Sequence, residues 1–168
     1  RTARLKNKLK LISFSFNKLN LEKWLLVNLK INRLPDNHIV DRYFETVQIF
    51  DVENDNAGLD YFIDPSEEVP LKSLPFAFHK GFIGFAIGAK HGTKKMPLPK
   101  MRALIQNIQL PIVLLGGKED QQTGDTLKRE FPNLVYNACG AYSLNQSASL
   151  VRQSRLIITH DTGLMHIA

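Results

Sequence analysis

Three short stretches, each directly after an apolar run, hold the residues of this chain that could do chemistry. The first is Gly88-Ala89-Lys90-His91-Gly92-Thr93-Lys94-Lys95. Small residues let a ligand approach the backbone, and lysine ammonium groups meet phosphate charge. A lysine-rich surface loop has the same composition, and the glycine spacing departs from the G-x-G-x-x-G dinucleotide fingerprint. His91 has no second ligand at a metal-binding spacing. The second stretch is Gly116-Gly117-Lys118-Glu119-Asp120. It suits a tight strand-to-helix turn with Glu119 or Asp120 as a cap, a ribose or base contact being the alternative. The third, His160-Asp161-Thr162-Gly163-Leu164-Met165-His166-Ile167-Ala168, opens a new helix. Free N–H groups and the positive dipole end at such a start suit a diphosphate, although Asp161 and Thr162 would serve equally as an N-cap. His166 lies one turn inward, on a face that meets ligand or core.

The elements that must position these loops alternate between strand and helix. Phe82 to Ile87 and Ile112 to Leu115 read as short buried strands, and Leu134 to Tyr136 and Leu156 to Thr159 as a third and a fourth strand. Helices are expected from about Pro97, from Asp120 to Phe131, and from Ser143 to Gln153, where Ser143 and Gln146 have capping-box spacing. Short apolar strands separated by helices predict an α/β domain, a parallel sheet with helices on both faces. Ligands of such sheets sit beyond the carboxyl ends of the strands, where all three loops fall.

Upstream the pattern differs. Residues 1–10 read as the tail of a helix, and Leu11 to Phe16 as a strand. Leu19 to Leu29 and His38 to Phe50 show helical spacing, with His38 as a cap or surface residue. Residues 51–80 lack periodicity and hold Pro65, Pro70 and Pro75, which places a domain boundary near residue 75. The expected domains are therefore 1–75 and 76–168. The chain opens at Arg1 and stops at Ala168, about one turn into a helix. It reads as truncated at both ends and catalytically incomplete as it stands.

Charge is strongly blocked. Residues 1–34 hold nine Lys/Arg against Glu22 alone, residues 35–70 ten Asp/Glu against Arg42 alone, and residues 71–168 twelve Lys/Arg against five Asp/Glu. A basic edge meets phosphates, anionic lipid or a charged substrate, or is a solvated helix face. No apolar run reaches the eighteen or so residues of a membrane span, and residues 1–16 do not read as a secretion signal, so none is expected. The single cysteine, Cys139, fits a small buried hydrophobe in a cytoplasmic chain better than a catalytic thiol.

The segment Asp161-Thr162-Gly163-x-x-His166-x-Ala168 resembles the donor-site motif of glycosyltransferase family 9, the bacterial ADP-heptose:lipopolysaccharide heptosyltransferases. Gly88-Ala89 followed by Lys94-Lys95-Met96-Pro97 is similar to that family's Gly-Ala loop and Lys-Arg-Trp-Pro stretch. Gly116-Gly117 and Gly140 also fit in order. The resemblance is specific over residues 82–168 and diffuse over 1–75. Met96 stands where the family usually has tryptophan, and Lys118 where some members carry a glutamate near the nucleoside.

The resemblance implies a GT-B fold in which a Rossmann-like second domain holds the sugar nucleotide. It implies that Lys94 contacts the donor diphosphate and stabilises the leaving group, with Lys90 and Thr93 in the same loop. Asp161, Thr162, Gly163 and Leu164 would surround diphosphate and sugar, with His166 beside them. Lys95 is expected to point elsewhere. The family's proposed general base, near the start of its first domain, has no counterpart here.

The implied reaction is inverting transfer of heptose from ADP-heptose to a lipopolysaccharide core acceptor. It needs neither metal nor cofactor, the ADP-sugar being a substrate. The basic block at 1–34 would suit an anionic acceptor and peripheral contact with the inner membrane surface, or remain a solvated face. Other readings are a GT-B enzyme with a different donor, a sugar-nucleotide epimerase, or a non-catalytic basic nucleic-acid-binding module. The basic segments carry no nucleic-acid motif, so nucleic acid is not an expected partner.

Overall fold

The computed structural model describes residues 2–10 and 12–168, which divide into two units, Arg1–Asp60 and Tyr61–Ala168. The first unit holds helices α1 (Thr2–Leu9), α2 (Asn20–Trp24) and α3 (Ile39–Phe44), with α2 running into a wider π-type turn over Leu25–Leu29. His38 is the N-cap of α3, its Nδ1 accepting the Val40 N–H at 3.3 Å, which is the cap role expected of it. The helix foreseen through Phe50 ends at Phe44. There the Thr46 hydroxyl donates to the Tyr43 carbonyl at 2.7 Å, a local bond that competes with the helical ladder.

The strand foreseen over 11–16 does not form across residues 12–16, and Leu11 lies outside the described residues. A lone extended segment has no partner for its N–H and C=O groups, so nothing fixes it as a strand. Phe14 and Phe16 instead meet Phe50 and Tyr43 edge to face, with ring centroids 5.6 and 4.7 Å apart. No helix among the described residues is long and apolar enough to cross a membrane.

The second unit is the expected α/β sandwich. Strands β1 (Ile83–Ala86), β2 (Ile112–Leu115), β3 (Val135–Asn137) and β4 (Leu156–Thr159) form one parallel sheet in the order β3-β2-β1-β4. Ile83 is in register with Ile112 on one side and Leu156 on the other. Helices α4 (Leu98–Asn107), α5 (Gln121–Glu130) and α6 (Leu144–Gln153) make the crossovers, and α7 (Gly163–Ile167) follows β4.

Alternation along the strands sorts the core into two layers. Ile83, Phe85, Ile112 and Leu114 pack with Met101 and Ile105 of α4 and Leu127 of α5. Ala86, Val113 and Leu115 pack on the opposite face with Leu150 and Val151 of α6. Phe85, Ile105, Leu114 and Leu127 are wholly buried, each such burial contributing about 1.5–3 kcal/mol. The capping box of α6 forms as its spacing predicts: Gln146 N–H donates to Ser143 Oγ at 3.1 Å, and Ser143 N–H to Gln146 Oε1 at 2.9 Å.

The boundary foreseen near residue 75 falls earlier, between Asp60 and Tyr61. The cause is the proline-rich stretch, which packs on the second unit. Val69, Leu74 and Phe78 enter the α6-side layer of the core. Val69 N–H donates to Ser149 Oγ at 3.1 Å, and Gln153 Nε2 donates to the Val69 carbonyl at 2.9 Å. Glu68 accepts from Ser149 Oγ at 2.6 Å and from Arg152 at 2.5 Å. Three prolines punctuate this stretch without separating it from the sheet.

Candidate functional site

Strand order fixes where a crevice must open. From β1 the chain steps outward to β2 and β3 on one side, then returns to β4 on the other. Connections leaving β1 and β4 therefore diverge, the arrangement at which open parallel sheets bind ligands. A cleft of about 680 Å³ lies beyond these carboxyl ends. Gly88 and Lys90 after β1, Gly116 and Gly117 after β2, and Thr162 and Gly163 after β4 all line it. Tyr142, Ser143 and Ser147, at the start of α6, close another wall. Only glycine lets the β1 loop come so close: a Cβ on Gly88 would lie 2.3 Å from Asp120 Oδ2. Gly140, ahead of α6, has φ +72°, a left-handed conformation suited to glycine, and packs against the Lys118 backbone.

Of the residues singled out in the sequence, Lys90, Thr162, Gly163 and Leu164 line this cleft. Thr93 and Lys94 lie in a tight 3-10 turn, Gly92–Lys94, outside the lining. Lys94 Nζ reaches Asp161 Oδ2 at 2.5 Å, tying the β1 loop to the β4 loop. Both side chains stay open to water, at 43% and 61% exposure. The hydrogen bond from Lys94 and then its charge hold the Asp161 carboxyl below the usual carboxylate range. Thr162 occupies the N-cap of α7 without a side-chain capping bond, and His166 is exposed.

Lys95, expected to point elsewhere, turns into the cleft. Its ammonium lies 2.5 Å from Oδ1 of Asp120, whose side chain is only 4% exposed. Asp120 Oδ2 accepts the Gly117 N–H at 3.0 Å, so the cap suspected there exists and carries an ion pair as well. One residue on, Met96 N–H donates to His160 Nε2 at 3.3 Å. His160 Nδ1 is buried and has no partner among the described residues. Burial pushes the His160 pKa down, with Asp120 opposing this and Lys95 adding to it, which favours the neutral ring that can accept the Met96 N–H.

Sequence reasoning passed over the pairing of Lys95 with Asp120, the lock on Met96 by His160, and the Tyr142–Ser147 wall. Only the last had a visible signal, Ser143 and Ser147 standing four apart on one helix face. Cys139 is buried and its thiol is pushed up to about 12, mainly by desolvation, which fits the inert residue expected. Among the described residues, no three His, Cys, Asp or Glu side chains are grouped to hold a metal ion.

The chain is 27% identical over 162 residues to lipooligosaccharide heptosyltransferase 2 of Haemophilus ducreyi, covering 86% of this chain and 47% of that protein. It thus spans about half the length of that relative. In fold it is similar to the E. coli ADP-heptose lipopolysaccharide heptosyltransferase II structure, with TM-score 0.61 and 22% identity over 82% of this chain and 47% of the other. A glycosyl transferase family 9 structure from Veillonella parvula gives TM-score 0.64 at 21% identity, covering 81% and 42%. The α/β class of GT-B type expected from the sequence is the fold these structures share with it. Residues 11–168 match the model of glycosyltransferase family 9 (heptosyltransferase), and the chain belongs to that family.

Proposed function

We propose that the second unit is the donor-binding part of an inverting heptosyltransferase that moves a heptose from ADP-heptose to a lipopolysaccharide core acceptor. The observation that carries this is the cleft at the switch point of the sheet, where lysines of the β1 loop face Thr162, Gly163 and Leu164 of the β4 loop. A nucleoside diphosphate needs cationic groups beside small residues that admit its phosphates, and both are present. The names of the relatives support heptose as the sugar and lipopolysaccharide as the acceptor class.

In this chemistry an acceptor hydroxyl attacks the anomeric carbon from the face opposite the nucleotide, and its proton passes to a general base. The bond from that carbon to the diphosphate oxygen breaks, and its electron pair leaves with ADP. Lys94 neutralises the departing charge, so the reaction proceeds without a metal or other cofactor. Asp161 exchanges Lys94 for the ligand or holds it in place, and Thr162, Gly163 and Leu164 border diphosphate and sugar. Residues 1–60, with the basic block at their start, belong to the acceptor side. Their charge suits a phosphate-bearing lipid acceptor and peripheral contact with the inner membrane surface.

Titration calorimetry with ADP, UDP and GDP tests the donor assignment. ADP should bind at least tenfold more tightly than either, and ADP-heptose at least as tightly as ADP. Equal affinity for UDP would shift the assignment to a transferase or epimerase with another donor.

A further inference from the structure

Lys95 is held at two points. Its backbone is fixed by the bond from Met96 N–H to His160 Nε2, 3.3 Å long. Its tip is fixed by Asp120, a buried carboxylate whose second oxygen already accepts the Gly117 N–H. An ammonium carries three donors. Among the described residues Lys95 Nζ makes a single hydrogen bond, to Asp120, while its side chain, 32% exposed, lines the cleft. Remaining N–H donors are thus presented to the cleft from a fixed position. Lys94 differs in every respect: its partner is the exposed Asp161, and it stands outside the lining.

We propose that Lys95 is a second, pre-positioned cationic contact for the phosphates of the bound nucleotide, and that Asp120 is the positioning residue that aims it. The inference rests on the donor-cleft assignment above. A flexible lysine must be ordered when it meets a phosphate, whereas Lys95 is ordered beforehand, which lowers the entropic cost of binding. The Asp120 carboxylate is occupied on both oxygens behind the ammonium, so it aims Lys95 without offering an open acceptor to the ligand.

The test compares two variants that both leave no unpaired buried charge. The wild type is the reference; D120N keeps the ammonium without the carboxylate that aims it, and K95M/D120N removes both. Binding of ADP, adenosine and inorganic pyrophosphate is measured by calorimetry, with a thermal melt to verify folding. ADP and pyrophosphate should bind roughly tenfold to hundredfold more weakly to K95M/D120N than to the wild type, the range of a lost charge-assisted contact, with D120N between the two because its ammonium is kept but not aimed. Adenosine, which has no phosphate, should change less than about twofold. A purely structural role for Lys95 would lower all three alike, and that result, or unchanged ADP binding, overturns the proposal. If the wild type binds pyrophosphate but not ADP, the nucleotide assignment fails, and Lys95 is judged on pyrophosphate by the same comparison. If the wild type binds neither, both fail.

Discussion

Lys95→Ala is expected to lower the unfolding free energy by about 3 kcal/mol, the low end of the cost of breaking a buried ion pair. Asp120 is 4% exposed, and without Lys95 its carboxylate keeps only the Gly117 N–H. The low end applies because Lys95 itself is 32% exposed, so water can partly replace it. Adding Asp120→Asn should recover most of the loss. Asparagine still accepts the Gly117 N–H and brings no charge to strand. Urea unfolding of the single and double variants measures this directly. Equal midpoints for K95A and K95A/D120N would show that the pair does not hold the β1 and β2 loops together.

Lys94→Ala should behave in the opposite way, moving binding and leaving the fold almost untouched. Its partner Asp161 is a solvated surface group, and such pairs add little to stability. The Asp161 carboxyl is depressed below its ordinary 3.8, so whatever the pair contributes is present above that pH and lost as pH falls through the lower, folded value. Loss of Lys94 should therefore weaken ADP binding about tenfold to hundredfold with little change in melting temperature. Asp161→Ala should keep appreciable ADP affinity, because its part concerns the sugar and the loop. A Lys94→Ala protein that binds ADP as the wild type does would remove Lys94 from the diphosphate site.

Much of the second unit was legible in the sequence. The four strands lie within a residue or two of their apolar runs; the central β1 and β2 are buried throughout, as parallel strands covered on both faces must be, while the edge strands β3 and β4 are partly exposed. Ser143 and Gln146 announced the start of α6 through a cap that depends only on local spacing. The loops after β1, β2 and β4 were found from equally local signals, Gly88 and Gly116-Gly117 directly after their runs and Asp161-Thr162-Gly163 after the last. Features decided by tertiary approach were not legible. Lys94 and Lys95 are adjacent and chemically identical, and only the placement of Asp120 and Asp161, 25 and 67 residues downstream, sends them to different partners. The stretch 61–80 has no periodicity to betray that Val69, Leu74 and Phe78 join the core, and its prolines suggested a linker. The strand foreseen at 11–16 had favourable composition, but among the described residues no strand lies beside residues 12–16, which composition cannot reveal.

Amide chemical-shift mapping during an ADP titration tests the central claim most directly. Binding at the switch-point cleft should shift the amides of residues 88–95, 116–120 and 162–164 together and saturably, with the 160–161 amides following because they adjoin the same loops. Shifts confined to another surface, such as the groove lined by Gln122, Asp125, Lys128 and Arg129, or no saturable shift at all, would contradict it.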